Sequence, residues 1–274
     1  MQFADPRTDF AFKLIFGNEK AKGVLVSFLN AVLGLEGSHE IIDVTILNPY
    51  QAPKISELKH SILDVKCRDN RGVEFVVEMQ IQYTEGFKKR IQYNVCKAYT
   101  NQITSGTDYP KLNQIIGITI TDFVMFDTFD HYLSGHEFRE TISNNCYLDE
   151  IRHYFIELPK FTKKEAELET TVEKWCYFLK NAGHLEVIPK KLSSDPFRKA
   201  FDLANRANMT KEEWEAYDAT SVWLQDQRGL ITAAHQEGRK ERNLELARAM
   251  RQKSFDKNLV MELTGLSKEE IERM

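Results

Sequence analysis

The 274-residue chain has few cysteines, and the four that it contains lie far apart. Cys67, Cys96, Cys146 and Cys176 form neither a CxxC metal site nor the dense disulfide framework of a small secreted domain. We therefore predict that these cysteines are reduced and serve in packing.

A long apolar run and an excess of positive charge are also missing. The N-terminus has no apolar signal segment, and the most apolar long stretch, 112–126, is interrupted by polar residues and too short to span a bilayer. We expect a cytoplasmic protein that does not bind membranes. Because 37 basic and 41 acidic residues give a net charge of −4, any nucleic acid must be bound by a local basic surface.

Several catalytic motifs are absent as well. The seven histidines include no HxxxH zinc pair, and the chain has no GxGxxG or GxxxxGK phosphate loop and no GxSxG elbow. These absences disfavour nucleotide hydrolysis and serine-type catalysis.

The order of predicted elements indicates an α/β fold in the first part of the chain. Two helices come first: a short one with Asp5 as N-cap and Pro6 at its first position, and a second that ends at Gly34. Strand patterns and one helix follow, with strands at 41–47, 62–67, 73–82, 114–126 and 146–158 and the helix at 86–103. Helices before and after the strands predict a mixed sheet flanked by helices.

Only helical patterns follow Pro159, at 163–180, 196–207, 211–225 and 232–253, and in two short segments within 255–274. We therefore divide the chain into an α/β domain, 1–160, a helical region, 161–253, and a small helix-turn-helix-like unit, 254–274.

The terminal unit has a predicted capping box, in which Ser267 is the N-cap and Glu270 its partner. Its second helix is rich in glutamate, which disfavours contact with DNA phosphates and favours oligomerisation or packing. The preceding helix, 236–253, carries an excess of basic residues and could contact DNA, although a solvated helix face is the default.

The most informative segment is a predicted β-hairpin, in which the strands 62–67 and 73–82 are joined by a turn that ends at Gly72. If the loop has three residues and Gly72 is left-handed, Asp64 lies directly opposite Glu78. Two like charges in this arrangement destabilise a sheet unless a cation offsets them.

Strand alternation places Gln80 on the same face as Glu78 and directs the apolar residues between and around them to the other face. Oxygen ligands of this kind suit Mg²⁺ or Mn²⁺ better than zinc. The alternative is that these are solvent-facing side chains of an antiparallel sheet, which is the usual role of a carboxylate on a strand.

The segments Ile62-Leu63-Asp64-Val65-Lys66 and Val76-Val77-Glu78-Met79-Gln80 resemble the active-site hairpin of the PD-(D/E)XK nuclease superfamily, in the branch of Rpn-family recombination-promoting nucleases and transposases. Other residues agree with this branch in the expected order: Asp5-Pro6 to Asp9, Phe12-Lys13, Phe16-Gly17, Arg90, Gln92, Tyr93, Gly106, Tyr109, Pro110 and Glu157 to Lys160. The resemblance covers about the first 160 residues well and the helical remainder loosely. It implies a restriction-endonuclease-like mixed sheet flanked by helices, with an all-helical C-terminal appendage.

The resemblance also implies a function, a metal-dependent DNA endonuclease that hydrolyses phosphodiester bonds in recombination or transposition-like processes. Asp64 and Glu78 take the acidic positions of the signature and, with the main-chain carbonyl of Met79, are the implied ligands of Mg²⁺ or Mn²⁺. Gln80 replaces the signature lysine; its amide oxygen can orient a water, but the amide supplies no positive charge. The signature proline is absent too, because Ile62 and Leu63 precede Asp64.

Three further residues are candidates for the site. Asp9 resembles the auxiliary acidic residue that such nucleases contribute from their first helix, and Lys13 lies one turn later on the same helix face. The alternative is an i,i+4 ion pair on a solvated helix, which we favour for Lys13. Arg90, from the basic segment 85–97, and Lys13 are the candidate contacts to DNA phosphates, and a solvated helix face is again the alternative.

A different function remains open on these residues: a catalytically silent nuclease fold that binds DNA or a protein partner, since a family likeness indicates fold more directly than activity. Convergence of Asp64, Glu78 and Gln80 on a common ion would distinguish the two functions. The C-terminal helices could form a homo-oligomer, which would suit cleavage of both DNA strands.

Overall fold

The computed structural model describes residues 2–51, 61–104, 106 and 108–272. The chain forms two compact units, Met1–Asp218 and Ala219–Met274. The helices of the described ranges are α1 (Asp9–Phe16), α2 (Lys22–Leu33), α3 (Phe87–Thr100), α4 (Thr171–Asn181), α5 (Asp195–Ala204), α6 (Lys211–Gln252), α7 (Lys257–Thr264) and α8 (Lys268–Glu272). None of them is both long enough and apolar enough to cross a membrane.

The strands of the described ranges are β1 (Val44–Leu47), β2 (Tyr50–Gln51), β3 (Ser61–Ile62), β4 (Val65–Asp69), β5 (Glu74–Gln80), β6 (Ile115–Thr121), β7 (Leu133–Phe138) and β8 (Leu148–Glu157). Six of them form one sheet in the order β1-β4-β5-β6-β8-β7, and β2 pairs with β3 separately. β5, β6 and β8 are mutually parallel, whereas the other neighbours in the sheet are antiparallel. This is the predicted mixed sheet flanked by helices.

The predicted register of the β4–β5 hairpin is confirmed. Val65 pairs with Val77 and Arg68 pairs with Glu74. Gly72 closes the loop at φ +93°, and an atom of Asn113 lies 2.6 Å from the position that a Cβ on Gly72 would occupy. The left-handed backbone therefore favours glycine at this position, and a Cβ here would also displace the side-chain amide of Asn113.

The predicted continuous strand 62–67 is interrupted, however, and the prediction that Asp64 lies within the ladder opposite Glu78 is wrong. Ile62 belongs to β3, the β4–β5 ladder begins at Val65, and Asp64 occupies the bend between them. The Leu63 amide donates to the Pro49 carbonyl at 3.1 Å, and the chain begins to pair with β5 only after Asp64.

β5 is a central strand and is buried on both faces. Phe75, Val77 and Met79 belong to the main core, which α1, α2, α4 and α5 also line. Val76 packs on the opposite face against Val95 of α3. The alternative in which Glu78 is a solvent-facing side chain of the sheet is therefore wrong, because α3 covers the face that carries Glu78.

The first helix begins later than predicted. Thr8, not Asp5, is the N-cap of α1, and its hydroxyl accepts a hydrogen bond from the Ala11 amide at 3.3 Å. The Asp5 carboxylate instead bonds to Arg7, whose guanidinium also contacts Asp122. The predicted end of α2 at Gly34 is confirmed, since Gly34 adopts the left-handed conformation at φ +62°.

The helices after residue 160 belong partly to the same core as the sheet. Trp175 of α4 packs against Phe16, Phe28 and Phe197. The change in composition at Pro159 therefore coincides with the end of the sheet and falls inside the first compact unit, Met1–Asp218.

The predicted secondary structure differs from the observed one at two places. The segments 211–225 and 232–253 are parts of one helix, α6, because the intervening Gly229 costs only about 1 kcal/mol and no proline interrupts the pattern. β7, at the edge of the sheet, was not predicted, since its residues are partly exposed without the regular alternation of a half-buried strand.

The second unit, Ala219–Met274, has a core of its own. Ala247 and Met250 of α6 pack with Val260, Leu266 and Ile271. The predicted capping box is confirmed: the Ser267 amide donates to Glu270 at 2.9 Å, and the Glu270 amide donates to the Ser267 hydroxyl at 3.2 Å.

Candidate active site

The polar face of β5 lies beneath α3, and each of its last two polar side chains has a partner on that helix. Glu78 is 5% exposed, and its Oε1 accepts a hydrogen bond from Asn94 Nδ2 at 2.9 Å. Gln80 Oε1 accepts a hydrogen bond from the Arg90 guanidinium at 2.8 Å. Glu78 and Gln80 are two residues apart on the strand, a rise of about 6.7 Å, and Asn94 and Arg90 are four residues apart on the helix, a rise of about 6 Å. The similar rise lets each strand residue meet one helix residue.

Asp64 reaches the same end of β5 from the bend before β4. In a continuous ladder Leu63 and Met79 would exchange both of their main-chain hydrogen bonds. Instead the Met79 amide donates to Asp64 Oδ2 at 2.8 Å, and the Leu63 amide donates to Pro49. The Asp64 carboxylate thus replaces a main-chain acceptor, and the Met79 carbonyl loses the Leu63 amide as its ladder partner.

Burial is the main influence on the charges of these carboxyls. It raises the pKa of Asp64 to about 7, with further contributions from the charges of Glu78 and Asp9 and against the hydrogen bond from Met79 and the charge of Lys13. Burial also raises the pKa of Glu78, against the hydrogen bond from Asn94 and the charge of Arg90. Because the charge of Glu78 adds to the effect of burial on Asp64, this place favours binding of a proton or a cation.

Lys13 of α1 lies between two acidic residues. Its ammonium is 2.6 Å from Asp9 Oδ1 and 3.8 Å from Asp64 Oδ1. The i,i+4 ion pair that we favoured for Lys13 is therefore present, and the contact with Asp64 is an addition that spacing along the helix does not reveal. Asp9 is 58% exposed, more open to solvent than Asp64 at 15%.

The donor set fits a hard divalent cation. In the described ranges, no group of three or more His, Cys, Asp and Glu side chains is arranged to hold a metal ion. Mg²⁺ does not require such a group, because it is commonly bound by one or two carboxylates and keeps several of its waters. Asp64, Glu78 and the Met79 carbonyl are oxygen donors of that kind.

Asn94 is the residue of this site that sequence reasoning missed. It is buried, and its amide is the hydrogen-bond donor to Glu78. The signal that could have revealed it is its position four residues after Arg90, on the same face of α3.

Other residues in the resemblance pattern have structural roles. Glu157 Oε1 accepts hydrogen bonds from the amides of Met125 and Phe126 at 2.6 and 3.0 Å, and Lys160 Nζ lies 2.8 Å from Glu157 Oε2. These contacts hold the segment that follows β6. Tyr109, in the turn after α3, is 80% exposed.

A mixed sheet flanked by helices, with a central hairpin that ends beside two carboxylates, is consistent with a PD-(D/E)XK nuclease fold. The helical C-terminal region is consistent with an added helix-turn-helix domain. The profile described as "PD-(D/E)XK nuclease family transposase" matches residues 6–234. The chain therefore belongs to this family, as its residues had suggested.

A second profile, described as "Rpn/YhgA-like nuclease family, C-terminal HTH domain", matches residues 240–274. This match indicates DNA binding, and nothing in it supports the oligomerisation role that we considered for the terminal unit. No curated protein and no solved structure matches the chain. Nucleases of the PD-(D/E)XK type generally use divalent metal ions.

Proposed function

We propose that this protein is a metal-dependent endonuclease that hydrolyses phosphodiester bonds of DNA, in a recombination or transposition-like process. The observation that carries the proposal is the pair of carboxylates at the end of the central hairpin of a nuclease fold, where Glu78 is buried and the Asp64 side chain is only 15% exposed. The match to a C-terminal HTH domain supports DNA as the substrate.

Asp64, Glu78 and the main-chain carbonyl of Met79 would hold the metal, Mg²⁺ or Mn²⁺. When bound, such an ion lowers the pKa of water and offsets the charge that develops on phosphate oxygens. The chain preorganises these ligands by hydrogen bonds: the Met79 amide donates to Asp64, and the Asn94 side chain donates to Glu78. Because the main-chain N–H and C=O of one strand residue point to the same side, the Met79 carbonyl is directed toward Asp64.

The remaining candidate residues would act on the substrate and on the charges around it. We propose that Lys13, whose side chain is 37% exposed, contacts a DNA phosphate. Asp9 would be the auxiliary acidic residue, since it orients Lys13 and its charge acts on Asp64. Arg90, the other residue that the sequence suggested for phosphate contact, is exposed but donates to Gln80, and we therefore assign the phosphate contact to Lys13 alone.

The test is a plasmid-nicking assay with and without Mg²⁺ on the full chain and on Asp64→Ala and Glu78→Gln. We expect nicking only with a divalent metal, and a loss of about 100-fold or more in each variant. Asp43→Asn is the matched control, because Asp43 is an exposed aspartate outside the site. Activity that persists in EDTA, or that survives both substitutions, contradicts the proposal.

One observation favours the second candidate function, a catalytically silent DNA-binding protein: Gln80 stands where the signature has lysine. This function predicts that the full chain binds duplex DNA in titrations but does not nick it with Mg²⁺ or Mn²⁺.

A further inference from the structure

The hydrogen bond between Gln80 and Arg90 determines which end of the Gln80 amide is available for chemistry. The guanidinium of arginine has only donors, so the atom that faces it at 2.8 Å must be the amide oxygen. The oxygen of Gln80 thus already accepts a hydrogen bond from Arg90, and the NH₂ group is the end of the amide that faces away from Arg90. An NH₂ group donates hydrogen bonds, as the ammonium of a lysine does.

Arg90 also carries the charge that Gln80 lacks. Its guanidinium lies 5.2 Å from the centre of the Phe87 ring, one turn earlier on α3, and this cation–π contact supports the position of the side chain. A hydrogen bond from a charged donor is shorter and stronger than a neutral one, and it polarises the acceptor amide so that its NH₂ becomes a better donor.

Resting on the proposed function, we propose that Gln80 and Arg90 together replace the lysine of the PD-(D/E)XK signature. Gln80 donates from Nε2 to an oxygen of the reacting phosphodiester, and Arg90 is the positioning residue that holds Gln80 in this orientation and supplies the positive charge behind it. In this assignment the NH₂ group of Gln80 acts on the substrate and the amide oxygen binds Arg90, whereas in the interpretation from the sequence the amide oxygen orients a water.

The geometry of α3 explains why this helix can perform the task. Arg90 and Asn94 are four residues apart, and they contact Gln80 and Glu78, which are two residues apart on β5. One helix face thus positions both a proposed metal ligand and the proposed donor to the phosphate. A shift of α3 along the strand would disturb both contacts together.

The test is a double-mutant cycle on the full chain, with kcat for a DNA duplex measured at saturating Mg²⁺ and Kd for the same duplex measured in EDTA. Arg90→Met should lower kcat about tenfold or more and change Kd less than about threefold, since the loss affects the reaction more than binding. Lys89→Met is the matched control, because Lys89 is an exposed cation on the same helix, and it should keep its kcat.

The decisive variant combines Gln80→Lys with Arg90→Met. A single lysine supplies both the donor and the charge, so this double variant should regain at least about tenfold in kcat over Arg90→Met alone. Gln80→Lys by itself places two cations side by side and should be less active than the double variant. The proposal is overturned if the double variant is no better than Arg90→Met, or if Arg90→Met weakens DNA binding and its salt dependence while kcat is unchanged.

A readout without catalysis separates this proposal from the proposed function. The ¹⁵N signal of the Gln80 side-chain amide, identified by its loss in Gln80→Lys, should move in Arg90→Met and stay in place in Lys89→Met. If it moves as expected but the wild-type chain never cuts DNA, the proposed function fails and the Gln80–Arg90 contact remains. If it does not move in Arg90→Met, the pairing itself is refuted.

Discussion

The Met79 amide donates a hydrogen bond to Asp64 Oδ2 at 2.8 Å, at the point where the β4–β5 ladder ends. This contact places an acidic side chain of the bend beside the last residues of β5. It also joins the two sequence segments of the signature through a main-chain group, so the position of Asp64 does not depend on the identity of the side chain at residue 79.

The first prediction concerns linkage between metal binding and stability. Mg²⁺ at ten times its Kd should raise the free energy of unfolding of the wild-type chain by about 1.4 kcal/mol. The free energy of unfolding of Asp64→Asn should not rise when Mg²⁺ is added, because this variant lacks the charged ligand. In EDTA this variant should be at least as stable as wild type, since an asparagine oxygen can still accept from Met79 and the repulsion with Glu78 is removed. Urea unfolding in EDTA and in Mg²⁺ measures both effects, and an equal response of the two proteins to Mg²⁺ would refute the assignment of Asp64.

The second prediction concerns Glu157, which is buried and bonded to two main-chain amides and to Lys160. Glu157→Gln should lower the free energy of unfolding by about 3 kcal/mol, because it leaves the Lys160 ammonium buried without its counter-charge. Glu36→Gln, at an exposed glutamate, is the control and should change it by less than about 0.5 kcal/mol. A small effect of Glu157→Gln in denaturant titrations would show that the ion pair between Glu157 and Lys160 contributes little to the stability of the folded chain.

The third prediction concerns pH. Burial opposes the charge of Glu173, but the hydrogen bonds from Lys163 and from the amides of Thr170 and Glu169 outweigh it and lower the pKa of Glu173 to about 2. The folded state therefore prefers the ionised form, and its advantage is complete above the unfolded pKa of about 4.5 and is lost as pH falls towards 2.

Glu173→Gln should accordingly be less stable than wild type by about 1.5 kcal/mol at pH 6, and the two proteins should converge as the pH falls from 4.5 to 2. Unfolding free energies measured at intervals between pH 2 and pH 7 test this. A difference that stays constant over that range would mean that the charge of Glu173 contributes nothing and that only the shape of the side chain matters.

The fourth prediction concerns the end of the chain. Removal of residues 240–274, the range of the HTH profile, should leave a cooperatively unfolding protein with weaker DNA binding. The slope of the logarithm of the binding constant against the logarithm of the salt concentration should become shallower by about one unit for each phosphate that the truncated chain no longer neutralises. Anisotropy titrations at several salt concentrations measure this, and unchanged affinity and salt dependence would exclude the terminal unit from DNA binding.

A cut after Ser254 is the informative comparison for that truncation. It would remove α7 and α8 but leave Ala247 and Met250 without the partners that bury them in the second unit. We expect this shorter truncation to aggregate more readily than removal of 240–274, because it exposes apolar surface.

The hairpin could be predicted because its determinants are local. A left-handed glycine closes a three-residue loop, and the period of two then fixes which residues pair and which share a face. The register from Val65 to Arg68 follows from these rules alone. The break at Asp64 could not be predicted in the same way, because it depends on the bond between Leu63 and Pro49, a residue outside the hairpin.

The sequence by itself determined the hairpin register, the end of α2 at Gly34 and the capping box at Ser267, since each follows from residues close together in the chain. It also determined the mixed α/β class and the family, which follow from the order of such local patterns along the chain. Only the tertiary structure decided the partners of the candidate site residues. Asp64 and Glu78 are held by Met79 and Asn94, and Gln80 by Arg90. The physical reason is that these contacts depend on α3 crossing the face of β5, and that packing is set by apolar side chains from both elements, which local periodicity places on a face but does not pair.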